Sequence, residues 1–121
     1  MSRRTARKHA FFLVFQIEFH KPFDALAQSA LYLEDKSAIS DEDAGFIRDE
    51  LDGVLANLTD IDALIAKHLS GWEIDRVAKV DLALLRLAVY EMLHEPSIPN
   101  GVSINEAVEL AKQFGEDAPI H

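Results

Sequence analysis

The segment from Val77 to His94 is apolar around most of its circumference, and that constrains the fold more than any other stretch of the chain. At 100° per residue its hydrophobic positions sweep roughly 240° of arc, whereas a helix lying on the surface of a core needs only about 100°. Such a helix has to be enclosed on several sides, so the rest of the chain must wrap it. No segment sustains the apolar–polar alternation of a half-buried strand. The expectation is an all-α fold, a compact bundle of about six to seven helices around the 77–94 helix. The 121 residues suffice for one hydrophobic core and not for two, so 1–121 reads as a single domain.

The wrapping helices follow from periodicity and punctuation. The first is expected from Arg3 to Phe19, stopped by Lys21-Pro22. Ala6, Ala10, Leu13, Val14 and Ile17 form an aliphatic stripe along it. Phe11, Phe12, Phe15 and Phe19 form a second arc shared with Arg4 and Lys8, which makes the helix apolar on two sides. The plain reading of these rings is core packing; the alternative is that Phe15 or Phe11 offers a face to an unstacked base. A short helix is expected over Asp24–Glu34. Ser40 then caps a helix whose first turn holds Asp41, Glu42 and Asp43, where the macrodipole favours carboxylates. Its apolar positions Ile47, Leu51, Val54, Leu58, Ile61 and Ile65 keep a 4-3-4-3-4 rhythm, which favours one long helix to Leu69, with a break at Thr59 as the alternative. Residues 72–76 read as a turn or short helical piece. After a loop holding Pro96 and Pro99, the run Ser103-Ile104-Asn105-Glu106 has the spacing of a capping box. It opens a helix with Ile104, Ala107, Val108, Leu110, Ala111 and Phe114 on one face, closed by Gly115 in the left-handed cap position. Pro119 reads as the start of a helix that the sequence does not complete.

Charge is distributed unevenly. The net charge is −9, and residues 34–62 hold ten carboxylates against Lys36 and Arg48. Yet Arg3, Arg4, Arg7 and Lys8 precede the first acidic residue, Glu18. A basic amino terminus is often no more than a solubilising tail. Cations in the first turn of a helix, however, oppose the macrodipole at a cost of a few tenths of a kcal/mol each. Holding them there without acidic neighbours in sequence points to a phosphate-binding end on a body that repels polyanions elsewhere. That reading requires the basic side chains not to be folded against the protein's own carboxylates.

Little else suggests chemistry. The absence of cysteine excludes disulfides, thiol catalysis and cysteine metal sites. His9, His20, His68, His94 and His121 are dispersed without a metal-ligand spacing, and no glycine-rich phosphate loop or nucleophile elbow is present. Glu91 falls within the apolar arc of the 77–94 helix. It must find partners among backbone N–H groups or side chains of the following helix, and a structural role suits it better than acid–base work. No enzyme, metal or cofactor is expected. The apolar run Ala10–Phe15 is too short and too interrupted for a secretory leader, and no run reaches spanning length; the expectation is a soluble, cytoplasmic protein.

Three stretches carry a family resemblance. Arg3-Arg4-Thr5-Ala6-Arg7, followed by Ala10 and Phe15, resembles the amino-terminal signature of the NusB family of bacterial transcription antitermination factors. The run from Val80 to Glu91 is similar to that family's central helix, and Val102 to Gly115 to its most recognisable segment. The resemblance covers essentially the whole chain in order. It implies an all-helical bundle without catalysis that binds the boxA segment of nascent single-stranded RNA jointly with the ribosomal protein NusE. That complex joins RNA polymerase in an antitermination assembly, notably during ribosomal RNA synthesis. It carries the RNA-binding role to Arg3, Arg4 and Arg7, with Lys8 adjacent and Phe15 at a commonly aromatic position, and the partner-facing role to Asp81, with Asp75 upstream. Two departures stand out. Phe12 replaces a frequent glutamine, and the family's Phe-Val-Asn-Gly-bearing helix does not follow, so the last helix is expected to be truncated. An apolar groove uncovered in this way would invite self-association as a homodimer. Two other readings remain: the NusB-like RNA-binding fragment of a ribosomal RNA cytosine methyltransferase, and a purely protein-binding helical adaptor.

Overall fold

The innermost element is the one its apolar arc demands: α4 (Lys79–His94) packs against every other α-helix among the described residues. The computed structural model describes residues 2–19, 39–69 and 73–115. Around α4 lie α1 (Arg3–Phe15), α2 (Asp41–Ala56), α3 (Leu58–His68) and α5 (Asn100–Phe114), with single 3₁₀ turns at Gln16–Glu18 and Ile74–Arg76. No strand occurs among the described residues. The helix expected over residues 24–34 and the start expected at Pro119 lie outside them.

The core forms where helix faces converge. Ala6, Ala10, Leu13 and Val14 of α1 meet Ile47, Leu51 and Val54 of α2, Ile61 and Ile65 of α3, and Leu82, Leu84 and Leu87 of α4. α1 starts where Ser2 accepts a hydrogen bond from the Thr5 amide, and α2 where Ser40 accepts one from Asp43. Each serine satisfies an amide with no partner inside its helix.

Three expectations about helix ends are corrected. The favoured single helix from Ser40 to Leu69 is two helices, and the break falls at Asn57 rather than Thr59. Asn57 leaves helical geometry at φ −116°, ψ 15°, and its Nδ2 donates to the Gly53 carbonyl at 2.8 Å. That carbonyl lies in the last turn of α2, and asparagine satisfies it locally. Only one residue leaves the winding, which is why the apolar rhythm runs through the break undisturbed. The second correction concerns α5, which starts at Asn100 behind Pro99. Ser103 therefore sits inside the helix, fully buried, and Ser103 with Glu106 makes no capping box. Proline's fixed φ and its carbonyl, which accepts from the Val102 and Ser103 amides at 2.9 and 3.3 Å, set the start instead. Third, Gly115 is extended at φ −72°, ψ 172°, not left-handed. A Cβ there would lie 2.7 Å from the Ala111 carbonyl oxygen, so close approach accounts for the glycine.

Candidate nucleic-acid interface

The basic end of α1 faces a cleft of about 490 Å3 between α1, α2 and the loop entering α5. Arg3, Arg4, Arg7 and Phe46 line it together with Asp49, Glu50, Glu95 and Glu106. The site is therefore mixed in charge, and the expectation of basic side chains clear of the protein's own carboxylates needs correction. Arg4 and Arg7 are both paired.

Arg7 is the clearer case. Its Nε donates to Glu91 Oε2 at 2.9 Å and its Nη2 to Glu91 Oε1 at 3.1 Å. The two side chains are 6% and 1% exposed. Ser103 of α5 completes the arrangement by donating its hydroxyl to Glu91 Oε1 at 2.9 Å. Glu91 thus finds one partner on the following helix, as expected, and a stronger one on α1. The signal for this was in the sequence: at 100° per residue Arg7 lies about 20° beyond Val14 and about 40° from Phe11, between the aliphatic stripe and the phenylalanine arc and so flanked by apolar positions on both sides. An arginine fork closing on a buried carboxylate ties α1, α4 and α5 at one point. At 6% exposure Arg7 offers a phosphate little surface.

Beside this pair lies Glu50 of α2, 1% exposed, with an Oε2 that has no hydrogen-bond partner. Burial, then the charge of Glu91 and a hydrogen bond with it, push the Glu50 carboxyl up to about 9, with the Arg7 charge pulling the other way. Near neutrality Glu50 keeps its proton. A neutral carboxyl tolerates an unpaired oxygen far better than a carboxylate does.

One turn towards the amino terminus, Arg4 makes the same kind of fork in a different setting. Its Nε and Nη2 donate to Glu106 Oε2 and Oε1 at 2.9 and 3.1 Å, but the Arg4 side chain is 59% exposed. The Arg4 hydrogen bond holds the Glu106 carboxyl below its ordinary value. Arg3 lies with its guanidinium 4.1 Å from the centroid of the Phe46 ring, a cation–π contact. It also stands 3.8 Å from Glu42, a loose pair between exposed side chains. Lys8 is half-buried, one turn along from Arg4.

The phenylalanines divide. Phe11 is 2% exposed and packs on Phe12 and Phe114 with centroids 5.5 Å away in each case, which removes it as a base-stacking candidate. Phe15 is half-buried, its ring 5.2 Å from that of the exposed Phe19. Sequence reasoning missed Phe46, Glu50 and Glu106 as members of this site; Glu106 was hidden by its resemblance to a cap.

Asp81 and Asp75 are not brought together in one cleft. Asp81, in the first turn of α4, borders an apolar cleft of about 270 Å3 with Leu84, Leu85, Ala107, Val108 and Ala111. Leu85 and Val108 there are exposed. Asp75, on the 3₁₀ turn, borders a separate cleft of about 290 Å3 with Asp62, Lys79 and Arg86, where Arg86 forks onto Asp62 at 2.8 and 2.9 Å. Among the described residues, no three His, Asp or Glu side chains are grouped to hold a metal ion, and no helix is long and apolar enough to cross a membrane.

Fold and cleft together define an all-α protein whose distinguishing site is an arginine-lined, mixed-charge cleft at one helix end. The chain belongs to the NusB family: a sequence model described as NusB family matches residues 4–120. It is 41% identical over 117 residues to the transcription antitermination protein NusB of Agathobacter rectalis, covering 97% of this chain and 89% of the relative. The protein of the same name from Bacillus velezensis is 44% identical over 119 residues, with 97% and 85% covered. The fold is similar to that of T. maritima NusB, at TM-score 0.85 and 35% identity over 97% of this chain and 81% of that one. It is also similar to a chain in a crystal structure of a plectonemic RNA supercoil, at TM-score 0.80 and 26% identity over 95% and 83%.

Proposed function

We propose that the chain is a non-catalytic, cytoplasmic transcription antitermination factor that binds single-stranded, boxA-like RNA jointly with the ribosomal protein NusE. Relatives bearing the antitermination name support this, as does a structural neighbour from an RNA-containing crystal. The observation that carries it is geometric: on a body of net charge −9, Arg3, Arg4 and Arg7 converge on one cleft at the start of α1, and although Arg4 and Arg7 are paired there, the side chains of Arg3 and Arg4 stay exposed to a ligand. Phosphate contact falls to Arg3 and Arg4, with Lys8 behind them and Phe15 alongside as the stacking ring. Arg7 contributes by holding α1 in place rather than by touching RNA. Asp81, with Leu85 and Val108 exposed beside it, is the surface for a basic partner, and Asp75, on a separate cleft, offers that partner a second carboxylate. The assembled complex acts on RNA polymerase during ribosomal RNA synthesis.

The pairing of Arg4 and Arg7 within the protein favours one rival, a purely protein-binding adaptor. Fluorescence-anisotropy titration of boxA-like RNA, with and without NusE, separates the two. The proposal expects salt-sensitive binding that tightens with NusE; tight NusE binding without any RNA response at low salt would establish the adaptor.

A further inference from the structure

Resting on the RNA-binding reading, we propose that Glu106 is a resident competitor of RNA. In the free protein it occupies Arg4 with the fork geometry a phosphate would use, and RNA docks by exchanging a phosphate for that carboxylate.

The geometry separates this pair from its neighbour. Arg4 reaches Glu106 through Nε and Nη2 at 2.9 and 3.1 Å, the edge with which arginine grips phosphate oxygens. At 59% exposure Arg4 is open to a ligand, whereas Arg7 at 6% is not. Glu106 is itself only 13% exposed, so it is held in position and does not sweep through solvent. It also feels the positive charge of Arg7, and on losing Arg4 it keeps a favourable electrostatic neighbour. Exchange costs Glu106 its hydrogen bonds while leaving it that neighbour, and this cost is what makes it a competitor that a single anion does not displace. Arg3 borders the same cleft, so a strand whose first phosphate meets Arg3 presents the next one close to the Arg4–Glu106 pair.

A tethered carboxylate competes at a high effective concentration. A lone monoanion gains little by displacing it, while a contiguous phosphodiester strand that also holds Arg3 gains enough. Glu106 thus acts as a specificity-determining residue: it keeps the arginine end from being occupied by single anions and reserves it for a phosphodiester backbone.

The test is RNA anisotropy on the full chain with Glu106→Gln, Glu109→Gln, Arg4→Gln and the Arg4→Gln/Glu106→Gln double variant. Glu109→Gln is the charge control, because Glu109 acts on Arg4 electrostatically and pairs with Lys112. Glu106→Gln is expected to bind single-stranded RNA up to about fivefold more tightly, the scale of an exposed ion pair. Glu109→Gln should change affinity by less than about twofold, and the double variant should match Arg4→Gln. Inorganic phosphate should compete more effectively against Glu106→Gln than against wild type. If Glu106→Gln melts early, Glu106→Asp, which keeps the charge and shortens the arm, is expected to show the same tightening in weaker form. Equal gains from Glu106→Gln and Glu109→Gln, or no gain while wild type binds, overturn the proposal and leave the RNA-binding reading standing. Absence of RNA binding by wild type and Glu106→Gln alike removes both.

Discussion

Two arginine forks one helical turn apart on α1, chemically the same, do opposite things. The inner one, Arg7 on Glu91, is joined by Ser103 and almost wholly withdrawn from solvent. The outer one, Arg4 on Glu106, has the same 2.9 and 3.1 Å contacts but an open arginine. In the interior each charge depends on its partner, because solvent cannot replace it. At the surface water is a ready substitute, and a phosphate a better one. The contrast teaches that a basic motif cannot be read as a block: burial divides it into a residue that holds the helix and residues able to leave their partners for a ligand.

The largest expected effect breaks the inner fork. Arg7→Ala leaves Glu91 buried without its counter-charge and should cost about 3–5 kcal/mol in urea unfolding. A loss below about 1 kcal/mol would place Arg7 in the same class as an exposed pair. Next comes the carboxyl beside it. Glu50 is held at about 9 in the folded protein against an ordinary 4.5. Between these values the folded state binds a proton that the unfolded chain has released, so stability falls as pH rises from about 4.5 to about 9. Glu50→Gln cannot lose a proton; it should flatten that decline and be the more stable protein at pH 8, by an amount on the order of 1 kcal/mol or more. Thermal melts across this pH range read the slope directly.

The outer fork gives smaller effects on a different readout. Arg4→Gln should leave the melting temperature nearly unchanged and weaken RNA binding by about tenfold, the scale of one lost charge-assisted contact. The smallest effect concerns salt. With Arg7 withheld, three cations remain for phosphates, and the log–log salt slope for single-stranded RNA should be about −2 rather than the steeper value of about −3 that four would give. The steeper slope would mean that Arg7 leaves Glu91 when RNA binds.

The same division governs how much the sequence disclosed. The 77–94 segment announced itself as the central helix because wide apolar arcs have no other stable location, and the cap expected at Ser40 works as local chemistry dictates. Helix ends set by a single side chain were harder. The Asn57 break preserves the hydrophobic rhythm and so leaves no trace in it. Ser103 and Glu106 carry the spacing of a capping box, yet tertiary partners claim both, Glu91 for one and Arg4 for the other. Arg7 was legible in angle, since it lies between the aliphatic stripe and the phenylalanine arc, but its charge drew it into the basic cluster. The pairing with Glu91 spans 84 residues of sequence, and local pattern carries no information at that range.

The most direct measurement follows the arginine Nε–Hε resonances of Arg4 and Arg7 by NMR as boxA-like RNA is added. The Arg4 resonance should shift with RNA while that of Arg7 stays in place and remains slow to exchange with solvent. A shift of Arg7 together with Arg4, or of Arg7 alone, would contradict the division between a sealed fork and an exchangeable one.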